Sequence, residues 1–270
     1  MAEPAERTDL AEILAGVAAG RYPDPGGRLT VLPQPSDRDA GVLAFSGHAV
    51  VFADLDPAEV AALAGGDADA NGYTLPDLSA PLNPPFLTAL ATRAARRVNN
   101  IDQLMLATPP PGPPSAGSPS AGGGLPGPAS CSPSPGPLAE VTQAPGRRVP
   151  DPAPAGLPLA LKPVRDASAH PRLARARRYR DDVRAWRAEG GLLILGRGVA
   201  GRWEVAVEVD EDARGRGIGR AVAATARRLV PDGEPLWAQV APANAAGVRA
   251  FAAAGFVPVG AEALLVAHHA

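Results

Sequence analysis

The sequence predicts an α+β protein, and three observations carry that expectation. Residues 202 to 209, RWEVAVEV, alternate apolar and polar side chains at the period of a strand with one buried face. They run into a glycine-rich turn, Arg214-Gly215-Arg216-Gly217-Ile218-Gly219, and then into a helical pattern marked by Ile218, Val222, Ala226 and Leu229. A second set of strands and helices fills the first 107 residues, beyond a stretch dense in proline.

Taken in order, residues 8 to 19 predict a short helix capped by Thr8 or Asp9 and ended by Gly20. RLTVLP (28 to 33), GVLAF (41 to 45) and HAVVFADL (48 to 55) predict strands, the last two joined as a hairpin at Ser46-Gly47. Asp56-Pro57 opens a helix through Leu63, with proline where its missing amide costs nothing. A polar loop follows, then a helix over 84 to 98 and a strand over 101 to 107. His48 has no carboxylate or nucleophile at a readable spacing, so a structural role is expected for it.

Residues 108 to 156 hold 15 of the chain's 32 prolines. Too little apolar surface is available there to offset ordering entropy, so a linker is expected between an N-terminal α+β unit (1–107) and a second domain (157–270). Cys131 lies in this stretch without a basic neighbour and is not expected to be a nucleophile. Past the linker, PRLARARRYRDDVRAWRAE (171 to 189) predicts one amphipathic helix with a solvated arginine face. LLILG (192 to 196) and RWEVAVEV form a hairpin, LWAQV (236 to 240) and FVPV (256 to 259) are strands, and AEALLVA closes the chain as an apolar stretch.

Composition narrows the functional classes. A net charge of −2 over 270 residues argues against a general nucleic-acid or anionic-membrane binder. No apolar run approaches a membrane span, and MAEPAERTDL lacks the features of a signal peptide. A single cysteine allows no internal disulfide, so a cytoplasmic setting is expected, and the four histidines show no metal-site spacing. One lysine, Lys162, among many arginines, with abundant Ala, Gly and Pro, suggests a GC-rich bacterial genome.

The glycine turn is the most informative stretch. Without Cβ atoms, successive amides can converge on a small volume, and the following helix adds its positive dipole end, which makes a phosphate site. A P-loop is rejected, because Gly219 is followed by Arg220 and Ala221 rather than Lys-Ser/Thr. A dinucleotide fingerprint is a weak match: the turn reads G-x-G-x-G, and LWAQV ends without an acidic residue. An ordinary strand-to-helix turn is the competing structural explanation.

Arg214, Gly217 and Gly219 fall on R-x-x-G-x-G after a strand, and a second pattern follows at the right separation: Asn244, Gly247, Phe251, Gly255 and Phe256 fall on N-x-x-A/G-x-x-x-Y-x-x-x-G-F except at the tyrosine. Residues 157 to 270 thereby resemble the acetyl-CoA-binding domain of the GNAT family of N-acetyltransferases. The resemblance implies a mixed, mostly antiparallel sheet in which two parallel strands splay apart beside the pyrophosphate loop. The pantetheine arm of acetyl-CoA would lie between those strands, contacting Val207, Glu208 and Val209. Arg214 and the amides of Gly215, Arg216, Gly217, Ile218, Gly219 and Arg220 would hold the pyrophosphate. Asn244, also a natural helix cap, would bind the pantetheine arm, and Phe251 would line the cofactor site. The N-terminal unit would complete the sheet or shape the acceptor pocket.

The activity implied is acetyl transfer from acetyl-CoA to an amine, by direct attack and without a metal. An amine with a pKa of about 10.4 must first lose a proton. On the alternating strand Glu204 and Glu208 are expected to face away from the core, where either can take it, Glu204 being the favoured one. Phe251 stands where relatives carry a proton-donating tyrosine, and Tyr179 on another helix is a candidate replacement. The alternative is a catalytically lapsed acyl-CoA-binding module with an N-terminal interaction domain. The acceptor, a small molecule or peptide amine, and the oligomeric state are not legible.

Overall fold

Strand β6, Arg96–Ala107, is the seam of this protein: it belongs to the N-terminal segment, yet both of its neighbours in the sheet come from the C-terminal segment. The structure is a computed structural model that describes residues 9–70, 72–108, 159–164, 170–231 and 233–268. Apart from Thr108, the expected linker and its Cys131 lie outside the described residues, as does Thr8.

The N-terminal elements are α1 (Leu10–Ala18), β1 (Arg28–Leu32), β2 (Ala40–Phe45), β3 (His48–Phe52), α2 (Pro57–Leu63), β4 (Asp67–Asp69), β5 (Gly72–Thr74) and α3 (Pro84–Arg93), followed by β6. Local chemistry fixes several ends. Asp9 and Glu12 form a reciprocal capping box on α1, with Asp9 Oδ1 accepting from the Glu12 amide at 2.8 Å. Asp56 accepts from the amides of Ala58 and Glu59 at the start of α2, ahead of Pro57. His48 bridges Thr30 Oγ1 (2.9 Å) and the Asp24 carbonyl (2.8 Å), which ties β3 to β1.

The C-terminal elements are β7 (Lys162–Pro163), α4 (Pro171–Tyr179), β8 (Asp181–Ala188), β9 (Gly191–Arg197), β10 (Trp203–Val209), α5 (Ile218–Ala226), β11 (Leu236–Val240), α6 (Ala245–Ala253) and β12 (Val257–Ala267). All described strands join one twelve-stranded sheet in the order β4-β5-β1-β3-β2-β12-β6-β11-β10-β9-β8-β7. Neighbours are antiparallel except β1 with β3 and β10 with β11. The architecture is mixed α+β, mostly antiparallel. Residues 1–107 and 157–270, expected as separate units, share this sheet and its core, since β6 lies between β11 and β12 while β12 lies between β2 and β6.

Alternation along the strands divides the core into two faces. On one face α5 and α6 cover Leu193, Val205, Ala238 and Met105, while α2 and α3 cover Val42, Val51 and Leu265. On the other, α1 covers Leu43, Phe52, Leu104 and Trp237, and α4 covers Leu192 and Ile194. Each fully buried Leu, Ile or Phe contributes about 1.5–3 kcal/mol by leaving water, so both faces are strongly held.

Three expectations are corrected. The helix expected over 84–98 ends at Arg93, and Ala95 (φ 51°) turns the chain into β6. There the backbone of 96–100 finds partners on β12, and Arg96 donates to the Asp37 and Arg38 carbonyls, contacts that outweigh helix propensity. The helix expected over 171–189 is α4 followed by β8, with Arg180 extended between them. Trp186 pairs with Leu193 across the β8–β9 hairpin, a partner that helical periodicity does not foresee. The last stretch is not a short strand plus a tail but one strand, β12. No helix among the described residues is long and apolar enough to cross a membrane.

Candidate functional site

The parallel pairing of β10 with β11 runs from Trp203↔Leu236 to Val205↔Ala238, while β10 continues to Val209 and β11 to Val240. Beyond Val209 the chain makes a turn held by the Asp210 amide on the Gly190 carbonyl (3.0 Å) and by Arg187 on the Asp210 carboxylate (2.9 Å). Gly215 (φ 76°) and Gly217 (φ 80°) are left-handed, and space is open where a Cβ on either would stand. Gly217 is the N-cap of α5 and has no capping side chain, so the first-turn amides of that helix lack intrahelical acceptors. This loop has the features of an anion cradle: conformations that glycine adopts without strain, open approach, and a helix N-terminus.

Next to the far halves of β10 and β11 is a cavity of about 340 Å³. It brings together Glu204, Val207, Asn244 and Phe251 from the sequence-predicted set, with Tyr179 from α4 and Asp102 from β6. Glu208, Val209 and the loop from Arg214 to Arg220 are outside its lining. Asn244 caps α6, its Oδ1 accepting the Gly247 amide at 2.9 Å. Phe251 packs edge-on against Phe256 with ring centroids 5.0 Å apart, part of the core under α5 and α6.

Glu204 is not on an open face. It is 3% exposed, because the second face of the sheet is covered as well. Its Oε1 accepts from Arg202 Nε at 2.9 Å and its Oε2 lies 2.8 Å from Arg180 Nε. Gly198 makes this possible, since a Cβ there would collide with the Glu204 carboxylate. Burial works against the charge of Glu204, but Arg202 and Arg180 outweigh it and hold the carboxyl below its ordinary range. A carboxylate held ionised by two guanidiniums is a poor proton acceptor. Sequence alternation identified the residue but not its surroundings.

Arg202 also donates from Nη2 to both oxygens of Glu262, at 2.8 Å each, and its guanidinium stands 5.3 Å over the Trp237 ring. Gln239 donates to Glu262 as well. Burial opposes the Arg202 charge, yet Glu262 and Glu204 keep it raised above the ordinary value. Glu262, by contrast, is pushed up: burial dominates, Arg202 offsets part of it, and Glu204 adds to the rise.

Asp102 was not singled out by sequence reasoning. It is 7% exposed, opposite Glu262 in the β6–β12 register, and lines the cavity. Burial and then the charge of Glu262 raise its carboxyl to about 6, against the pull of Arg175. Asn100 donates to Asp102, Asn99 donates to Asn100, and Arg175 Nη2 donates to Asn99 at 3.0 Å, so a chain of hydrogen bonds joins a guanidinium on α4 to this carboxyl. The signal available was a single acid within each of two apolar strands, IDQLMLA and AEALLVA, where a buried polar group is the informative event.

Glu208 lies at the half-exposed end of β10, with Arg172 Nε at 3.3 Å and His170 Nε2 at 3.6 Å. Arg172 Nη1 also donates to the Val207 carbonyl at 2.6 Å, so the start of α4 is tied to the strand tail. Among the described residues, no cluster of three or more His, Cys, Asp or Glu side chains is arranged to hold a metal.

No family model matches this sequence, and none of the curated proteins does. Among solved structures the chain is similar to a GCN5-related N-acetyltransferase from Kribbella flavida, at 14% identity and a TM-score of 0.34, over 69% of this chain. The chain spans 65% of that protein's length. At this overlap the likeness carries no argument about substrate or reaction.

Proposed function

We propose that this protein is an N-acetyltransferase of the GNAT type, moving an acetyl group from acetyl-CoA to an amine. The observation that carries this reading is the end of β10–β11 pairing at Val205 and Ala238, beside a loop whose Gly215 and Gly217 are left-handed. Two parallel strands that part next to an anion cradle suit an extended pantetheine arm with a diphosphate at its end. Val207 and Val209 would offer strand backbone to that arm, and Asn244 and Phe251 would line its path. The amides from Gly215 to Arg220, with Arg214, would hold the diphosphate, where several charge-assisted hydrogen bonds outweigh the ~0.3–1 kcal/mol of the helix dipole.

When bound, acetyl-CoA supplies a thioester carbonyl as the electrophile. The protein's part is positioning and proton removal. In this reading Asp102 is the base: with its carboxyl raised to about 6, it lies closer to a working pH near 7 than an ordinary aspartate. The amine nitrogen forms a bond to the acetyl carbon, the carbon–sulfur bond breaks, and the amine's proton passes to Asp102. Nearby arginines assist by disfavouring an ammonium in the same cavity. Glu204 becomes a positioning residue that fixes Arg202 and Arg180, and Glu208 anchors the start of α4. Phe251 cannot donate a proton, so the departing thiolate, with a conjugate pKa of about 8.5, takes one from solvent or from Tyr179. The N-terminal segment belongs to the site because β6 carries Asp102. A reducing, cytoplasmic setting is part of the same reading, one cysteine permitting no internal disulfide.

A labelled-acetyl transfer assay over small amines, amino acids and peptides tests the reading. Transfer to at least one class supports it, and acetyl-CoA binding with no transfer to any class would leave a non-catalytic binding module.

A further inference from the structure

We infer that the acceptor is a small amine that also carries a carboxylate, held between Arg175 and Arg180 at one end and Asp102 at the other. This rests on the acetyltransferase reading and specifies its second substrate.

The charges around the cavity decide the matter. Arg38 is engaged by Asp39 and Asp181, Arg172 by Glu208, and Glu204 by Arg180 and Arg202. Two charged groups of the lining form no ion pair among the described residues: Arg175, bonded to the neutral Asn99, and Asp102, bonded to the neutral Asn100. They stand at opposite ends of one hydrogen-bond chain, which fixes a cationic point and a proton-accepting point in a single cavity.

A second observation points the same way. Four arginines, Arg38, Arg172, Arg175 and Arg180, line the same cavity, and a guanidinium suits a two-oxygen acceptor. A carboxylate set against Arg175 and Arg180 would answer that positive wall while its amine end reached Asp102. A plain diamine or polyamine would instead bring a second cation against it. The cavity, at about 340 Å³, is at the small end of ligand pockets, which favours a free small molecule over a protein chain.

The test uses the full chain and needs no turnover. Calorimetry and thermal shift would be run with the twenty common amino acids, β-alanine and γ-aminobutyrate, each beside its amide and its decarboxylated amine. At least one free acid is expected to bind, with its amide and amine weaker by about tenfold or more. Arg175→Gln, at an exposed helix position, should abolish that preference by weakening the acid alone, and Arg175→Lys should restore part of it. Equal binding of acid and amine, or binding by no member of the panel, would overturn the inference. Acetyl-CoA binding, measured separately, reports on the transferase reading: if it persists while the acid preference fails, only this inference falls.

Discussion

Asp102 on β6 and Glu262 on β12 stand directly opposite each other, two acids in register on neighbouring strands in the middle of the sheet. Like charges at such a pair are destabilising unless compensated. Arg202 on Glu262 compensates in part, and both carboxyls stay raised, that of Asp102 to about 6 by burial first and then by the charge of Glu262. Of the two acids, Asp102 lines the cavity.

If Asp102 is the base, the rate of acetyl transfer should rise with pH through about 6, because only the deprotonated carboxylate accepts a proton. Asp102→Asn should lower the rate by about 10²–10⁴-fold and remove that limb of the profile. An unchanged limb in the variant would assign it to another group.

The same carboxyl predicts a stability effect with a definite sign. Its folded value is raised, so its contribution is fully present below the ordinary value of about 4 and is lost as pH rises through about 6. Asp102→Asn should therefore gain stability relative to the native chain between about pH 4 and pH 7, and the difference should level off above that. Urea midpoints across that range would show it.

Removing Arg202 leaves Glu204 and Glu262 buried without their shared cation. Arg202→Met should cost about 3–5 kcal/mol in urea unfolding. Combining it with Glu262→Gln should recover part of the loss, since one uncompensated charge is then gone.

The exchange of β6 and β12 between segments makes each segment incomplete. Residues 157–270 expressed alone lack the strand between β11 and β12, and residues 1–107 lack the strand between β2 and β6. Each fragment should give the circular dichroism and proton NMR dispersion of an unfolded chain, while co-expression of the two should restore a folded complex. A folded, active 157–270 fragment would show that β6 is dispensable.

Much of this architecture is legible locally. The Asp9-Glu12 box, Asp56-Pro57, the Ser46-Gly47 hairpin and the Asn244 cap each carry their own hydrogen-bond logic within a few residues. What stayed hidden depends on partners far along the chain. The second face, on which Glu204 lies, is covered by α1 and α4, with Arg180 at the end of α4 against its carboxylate, and no periodicity within RWEVAVEV reports it. Residues 181–188 carry apolar spacing compatible with a helix, and only the β9 partner makes them a strand. The glycine loop was readable because glycine spacing is itself a backbone constraint, whereas the surroundings of Asp102 depend on a neighbour on another strand.

The central claim is that main-chain amides between Gly215 and Arg220 grip the diphosphate of coenzyme A. Calorimetry of acetyl-CoA against the native chain and Gly217→Asp tests it most directly, since the variant adds negative charge at the helix N-terminus and a Cβ at a left-handed residue. The account predicts measurable binding to the native chain and at least about a tenfold loss in the variant. No binding to the native chain, or equal binding to both, would contradict it.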